Sequence, residues 1–283
     1  MIRLMVIALL MGSSAANAAE VYGRVQADYA DSSFVPDRAT LGVNHSFDDT
    51  YSAVVAVDGA NGLVELSRAM LSAKGLPLSG VLTAGMQRPV YSAHLEGPST
   101  WVRTAFVESV KLMPEHDYAW SYTGEVSGVG FALEARDGVK GDKKDIYAGH
   151  LSYSVVPAVH LVLGYQHDVA AEDTLTHGAL KASYSGLSLL AECAQQHAKD
   201  SAIKDRSSQS VVATYDMTEA WALYASHVWG NDAFQGVVGY ESDSHAGILH
   251  PLNKSINVAG LYNTKKLLTE TDSGVSLRLA ATF

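Results

Sequence analysis

A period of two runs through this chain and limits what it can fold into more than any other feature. In the last stretch, Ser273 to Phe283, the positions Val275, Leu277, Leu279, Ala281 and Phe283 are apolar, and Ser276, Arg278 and Thr282 between them are polar. Successive side chains of a strand point to opposite faces, so this spacing describes a strand with one face in an apolar medium and one in a polar one. The pattern also opens the region after residue 18. From Glu20 to Ala30, Val21, Gly23, Val25, Ala27 and Tyr29 alternate with Tyr22, Arg24, Gln26 and Asp28. No stretch beyond residue 18 approaches a transmembrane helix in length or apolarity. If such a chain lives in a membrane it must close into a barrel, because only helices and closed barrels satisfy every backbone group in lipid.

The first residues have a different layout. Arg3 precedes the apolar run Leu4 to Met11, and small residues follow, ending in Ala16-Asn17-Ala18. This is the pattern of a secretory signal peptide cleaved after Ala18, and the run is well short of the ~20 apolar residues a span needs. Of the 283 residues, 19–283 are then the folded chain. Losing Arg3 takes Lys+Arg from 20 to 19 against 30 Asp+Glu, and the net charge from -10 to -11. An exported, acidic chain argues against nucleic acid as a partner. Cys193 is the single cysteine, so no intrachain disulfide forms, and a closed ladder of backbone hydrogen bonds is the expected source of stability.

Between the two ends, alternating segments follow one another. Ala39, Leu41, Val43 and Phe47 share a face of Arg38 to Phe47, and Tyr51, Ala53, Val55 and Val57 share a face of the next segment, with Asp48-Asp49-Thr50 as a polar turn between. Glu65 to Lys74 and Gly80 to Arg88 flank Gly75 to Ser79. His116 to Thr123 and Val129 to Arg136 flank the turn Gly124 to Gly128, and Ile146 to Val155 runs to Pro157. Leu180, Ala182 and Tyr184 oppose His177, Lys181 and Ser183, and after Ser185-Gly186 the set Leu187, Leu189, Ala191 and Cys193 opposes Ser188 and Glu192. Cys193 thus reads as a small lipid-facing residue. Ser207 to Tyr215 and Ala220 to Trp229 form a further hairpin, whereas Phe234 to Tyr240 fits either a strand end or a loop. Residues Pro89 to Glu115 break the alternation; read as a loop, they leave the turn at Gly124 to Gly128 for the next hairpin, and the rival parse makes Trp101 to Leu112 a strand.

The total is about sixteen strands of roughly ten residues, the length a tilted membrane strand requires. Apolar and small side chains would face lipid, and the charged set would face a wet lumen. Phe47, Tyr51, Tyr153, Tyr184 and Tyr215 sit beside the short turns, as a girdle at one membrane surface would. Eleven histidines are scattered, without pairs at ligand spacing, and read as solvated positions, so neither a metal nor a cofactor is expected. A barrel-embedded hydrolase would need partners converging in space, and no nucleophile motif is present.

Several of these segments resemble one family. Val21-Tyr22-Gly23-Arg24 is similar to the opening strand of the Gram-negative general porins, which read Leu/Val-Tyr-Gly-Lys/Arg. The aromatic ending at Phe283 resembles the C-terminal signal of Gram-negative outer-membrane barrels. Ser67-Arg68-Ala69 stands where those porins carry a lumen-facing arginine, and Leu252 and Lys254 match part of the turn of their last hairpin. The chain departs from the pattern at Thr40, where many porins keep an arginine, with Arg38 nearby, and at Gly85-Met86-Gln87, where they often have Gly-Arg-Gln.

The resemblance implies an all-β transmembrane antiparallel barrel of about 16 strands, with short periplasmic turns and an inward-folded constriction loop at 89–115. It further implies a homotrimer in outer-membrane lipid and lipopolysaccharide, passing small hydrophilic solutes and ions without catalysis. Arg24, Arg68 and Arg38 would form the basic wall, opposed by Glu96, Arg103, Glu108, Lys111 and Glu115 on the loop. Gln26, Asp28, Lys181, Glu192 and Arg278 would be other lumen-facing positions. The acidic balance suggests cation preference. Three alternatives stand beside this reading: a substrate-specific channel, which would need aromatics in file or a dense basic ladder, a barrel-embedded hydrolase, and a scaffolding or adhesion barrel.

Overall fold

Sixteen antiparallel strands form a closed barrel in which each strand pairs with its neighbours in chain order and the last pairs with the first. In this computed structural model the described residues are 19–30, 33–60, 63–87, 117–137, 145–169, 172–199, 205–218, 220–252, 256–267 and 270–282. The expected signal peptide, the expected constriction loop with Glu96, Arg103, Glu108, Lys111 and Glu115, the Trp101 to Leu112 alternative, Arg88 and Phe283 lie outside them.

The strands are β1 Glu20–Ala30, β2 Ser33–Ser46, β3 Tyr51–Ala60, β4 Leu63–Leu76, β5 Gly80–Gln87, β6 Asp117–Val126, β7 Val129–Asp137 and β8 Asp145–Val156. They continue as β9 Val159–Asp168, β10 Asp173–Tyr184, β11 Leu187–His197, β12 Arg206–Thr218, β13 Trp221–Gly230, β14 Tyr240–Pro251, β15 Ile256–Leu267 and β16 Thr271–Thr282. Closure leaves no unpaired strand edge, which lipid would not tolerate.

Turn chemistry sets the strand ends. Asp48 Oδ1 accepts from the amides of Thr50 and Tyr51, each at 2.7 Å, and fixes the β2–β3 turn. The β6–β7 and β10–β11 hairpins close through Ser127-Gly128 and Ser185-Gly186, and both residues of each pair have positive φ, as type I′ turns require. The first of these corrects the expected turn over Gly124 to Gly128. β6 runs on to Val126 because two residues suffice to reverse the chain, and Gly124 is a strand position against whose site the Phe131 ring packs.

Gly85 is a glycine of necessity. Its φ is +126°, and a Cβ there would stand 2.1 Å from the carbonyl oxygen of Ala69 on β4. Gly85→Ala is therefore expected to lower barrel stability by about 1–3 kcal/mol, the scale of one strained backbone residue, in denaturant unfolding from detergent micelles. Gly164→Ala, whose Cβ would meet nothing nearer than 3.7 Å, is the matched control.

The outer face is apolar. Leu133, Leu151, Leu161, Leu163, Leu223, Ile248, Leu277 and Leu279 are all exposed on it, far more apolar surface than a water-soluble fold leaves uncovered. Cys193 is exposed on the same face. Aromatics flank this belt at both ends: Phe47, Tyr51, Tyr153, Tyr184, Tyr215 and Trp221 beside the short turns, and Tyr118, Trp120, Tyr147, Tyr165 and Trp229 at the opposite end. Trp221 and Trp229 are eight positions apart on β13, about 27 Å along the strand and roughly 20 Å along the axis of a tilted barrel, close to the height of a lipid-facing band.

The segment that fitted either strand or loop is a helix. α1, Asp232–Val238, lies between β13 and β14 and packs against β12, β13 and β14. Asn231 caps it by accepting from the Phe234 amide, and Gly239 ends it in the left-handed conformation.

Candidate pore lining

Register brings the expected basic positions onto one arc. Arg24 on β1 stands opposite Thr40 and Thr282, Gln26 opposite Arg38, and Asp28 opposite Arg278. Arg68 on β4 stands opposite Ala56, beside a bulge that sets it next to the buried Ser67, and is half-buried. The four arginines therefore sit on β16, β1, β2 and β4, within a run of five consecutive strands across the closure. The row through Arg24 and Thr40 continues to Asp58 and then Glu65. Residues of both signs share this arc, so the wall is mixed. Asp58 and Glu65 escaped the reading of the sequence because each lies near a strand end, where parity alone says little about cross-strand neighbours.

The inner face of β6 to β15 corrects the expectation of a wet lumen with solvated histidines. Here inward positions are packed. Val162, Ala179, Leu190, Val212, Tyr224, Val228, Leu249, Ala259 and Leu261, from seven strands, form one buried apolar cluster with Phe234 and Tyr240. The polar groups among them are buried in partnerships. Glu134 and Arg136, both inward on β7, form an ion pair, and Arg136 Nη2 donates to Gln166 Oε1 at 2.9 Å. Glu192 Oε1 lies 2.7 Å from His177 Nε2, and Glu192 Oε2 accepts from Ser210 Oγ at 3.2 Å. Glu192, expected to face a wet lumen, is instead 4% exposed and bound by protein. His177 and His150 are buried likewise, and His45 is buried on the outer face against Phe47. Desolvating a carboxylate or imidazole is costly, and such groups stay inside only with partners.

Toward the short-turn end the inner face opens. Ser154 Oγ lies 2.8 Å from His160 Nδ1, and His160 stands opposite Lys181, which is half-buried. Neither polar cluster has the connectivity of a hydrolase. In the buried one the carboxylate sits between Ser210 and His177, so the imidazole does not face the hydroxyl it would deprotonate. At the exposed pair, among the described residues, no carboxylate hydrogen-bonds His160 to orient it. Among the described residues, no group of three or more His, Cys, Asp or Glu is placed to hold a metal ion.

At the opposite end, just before β12, Asp205 receives a hydrogen bond from His197 at 2.6 Å and from the Ala198 amide at 3.2 Å. The bond with His197, above all, holds the Asp205 carboxyl below the usual carboxylate range. A lowered value means that this contact is fully present above the ordinary carboxylate pKa and is released as pH falls through the lowered one.

Among solved structures, the chain matches OmpF of Salmonella typhi, in a complex with daunomycin, at a TM-score of 0.72 and 14% identity, over 94% of this chain and 98% of that one. It matches the anion-selective porin from Comamonas acidovorans at 0.69 and 13%, over 95% and 100%. The fold is that of the porins. A loop-deletion form of OmpT, an outer membrane protein of Vibrio cholerae, matches at 0.69 and 13%, over 95% and 100%. No family model and no curated protein matches the sequence.

Within this porin fold the expected lining residues divide. Arg24, Arg38, Arg68, Gln26, Asp28 and Arg278 gather on the arc from β16 to β4. Lys181 stands at the short-turn end of the opposite side, and Glu192 belongs to its packed interior. Reading one strand at a time finds the inward face but not the neighbours, so the partnerships of Glu134 with Arg136 and of Glu192 with His177 and Ser210 went unrecognised.

Proposed function

We propose that this protein is an outer-membrane porin, a water-filled channel through which small hydrophilic solutes and ions pass down their own gradients. The observation that carries this reading is the contrast between the two sides of the barrel: the positions along one arc are rich in charged residues of both signs, and the other side is packed. Water and ions then pass along the arc from β16 to β4, where charged groups of both signs orient polar solutes and an apolar molecule would have to displace ordered water. The protein is exported with cleavage after Ala18, resides in the outer membrane in contact with lipopolysaccharide, and assembles as a homotrimer. It catalyses no reaction. The resemblance to the general porins supports residues 89–115 as the segment that restricts the passage.

The excess of acidic residues, with a net charge of -10, supports a preference for cations. Single channels in planar bilayers under a potassium chloride gradient test both claims. Discrete conductance steps and a cation-selective reversal potential are expected, and an anion-selective value would overturn the preference. Arg68→Glu replaces a positive charge on the arc by a negative one and is expected to raise the potassium-to-chloride permeability ratio about twofold or more, which the same reversal potential reads. An unchanged ratio would remove Arg68 from the passage.

A further inference from the structure

The connection between β13 and β14 is not built like an ordinary exposed loop. α1 has seven residues, too few to be stable as an isolated helix, so the contacts it makes hold it in place. Phe234 is fully buried and lies over the inner face of Gly230, where even a Cβ would come within 2.2 Å of its ring. The ring also meets Tyr240 edge to face, with centroids 6.4 Å apart, and Lys265 Nζ sits 4.3 Å from the centre of the Tyr240 ring on the inner wall. Asn231 ties the start of the helix to the neighbouring strand: its amide donates to Ser207 O at 3.0 Å, its Oδ1 accepts from the Ser207 amide at 3.2 Å, and its Nδ2 donates to Asp205 O at 2.8 Å. Gln235 Nε2 closes the set on Gly230 O at 2.9 Å.

The Phe234, Tyr240 and Lys265 contacts lie on the inward side of β13 to β15, at the end of the barrel opposite the short turns. Beneath them runs the apolar cluster through Val228, Val212 and Tyr224. A connection free to extend into solvent has no reason to bury a phenylalanine against a glycine on the inner wall.

We infer that α1 is a fixed restriction of the passage, a size-determining element separate from residues 89–115. It caps the packed side of the barrel and confines solutes to the arginine arc. Phe234 and Asn231 are the residues that position it, and Asp232, which is exposed, is on the side that solutes meet. Its role in permeation rests on the channel reading above; its placement does not.

Thiol labelling separates the two. In a Cys193→Ser background, Phe234→Cys is expected to resist a maleimide in the folded barrel and to react once urea unfolds it, while Asp232→Cys reacts in the folded state. Equal reaction at both positions in the folded barrel would overturn the placement. Attaching a bulky methanethiosulfonate at Asp232→Cys is expected to reduce single-channel conductance by roughly half, as narrowing a passage does. Complete modification, confirmed by mass, with conductance unchanged would overturn the restriction. Asn231→Ala/Phe234→Ala is expected to admit larger neutral polymers, and gel mobility before and after heating shows whether that variant is folded. Cysteine variants that label as expected, alongside a wild-type protein that conducts no current, would sink the channel reading and leave the placement of α1 standing.

Discussion

Arg136→Met is expected to lower the unfolding free energy of the barrel by about 3–5 kcal/mol, the usual result of removing one partner from a buried ion pair. Arg136 and Glu134 project from β7 into the packed side, with side chains 1% and 0% exposed. Removing the guanidinium leaves the Glu134 carboxylate without its counter-charge and takes the hydrogen bond from Gln166 Oε1 as well. The double variant Glu134→Leu/Arg136→Met should recover most of the loss, because a well-packed apolar pair of similar volume often replaces a buried ion pair at little cost. Guanidinium unfolding of barrels refolded in detergent micelles, followed by tryptophan fluorescence, measures both. A loss under about 1 kcal/mol for the single variant would mean that water reaches the pair, as at a surface ion pair, and that this side of the barrel is not packed.

The second large effect is on the outer face. Leu163 lies at the middle of β9 and is 66% exposed, opposite Leu151 on β8 and Gly178 on β10. Leu163→Arg puts a guanidinium at the centre of the apolar belt and is expected to cost about 2–4 kcal/mol in lipid vesicles, against about 0–1 for Tyr184→Arg at the short-turn end. The depth dependence is the informative part, since a water-soluble barrel would tolerate arginine equally at both sites. Reversible unfolding in phosphatidylcholine vesicles gives the two values, and equal values would remove the lipid-facing assignment of this surface.

Much of the barrel was legible in the sequence because its signals are local. The face on which Val275, Leu277 and Leu279 lie follows from spacing alone, and so does the outward position of Cys193. The hairpin at Ser185-Gly186 was legible for the same reason, since a turn is decided by the residues that make it. The segment around Phe234 was not. Its sequence fitted a strand end or a loop, and the helix is held by Gly230 and Tyr240, which offer Phe234 a place on the inner wall.

The candidate site divided along the same line. Arg24, Arg38 and Arg68 were read as wall positions from strand parity, and pairing in chain order sets those positions on one arc. Glu192 was also read as inward, but its surroundings were not visible. His177 lies 15 residues before it and Ser210 18 after, and only the β10–β11 and β11–β12 registers bring them to its two oxygens.

By itself, then, the sequence determined a barrel of about sixteen strands and which residues share a face of each strand, because alternation and turn chemistry act within a few residues. Only the tertiary structure decided which inward residues meet, that one side of the barrel is packed while the other carries the charged arc, and that α1 lies against the inner wall. Those features depend on register between strands and on what covers a face, and neither is written in the spacing of a single strand.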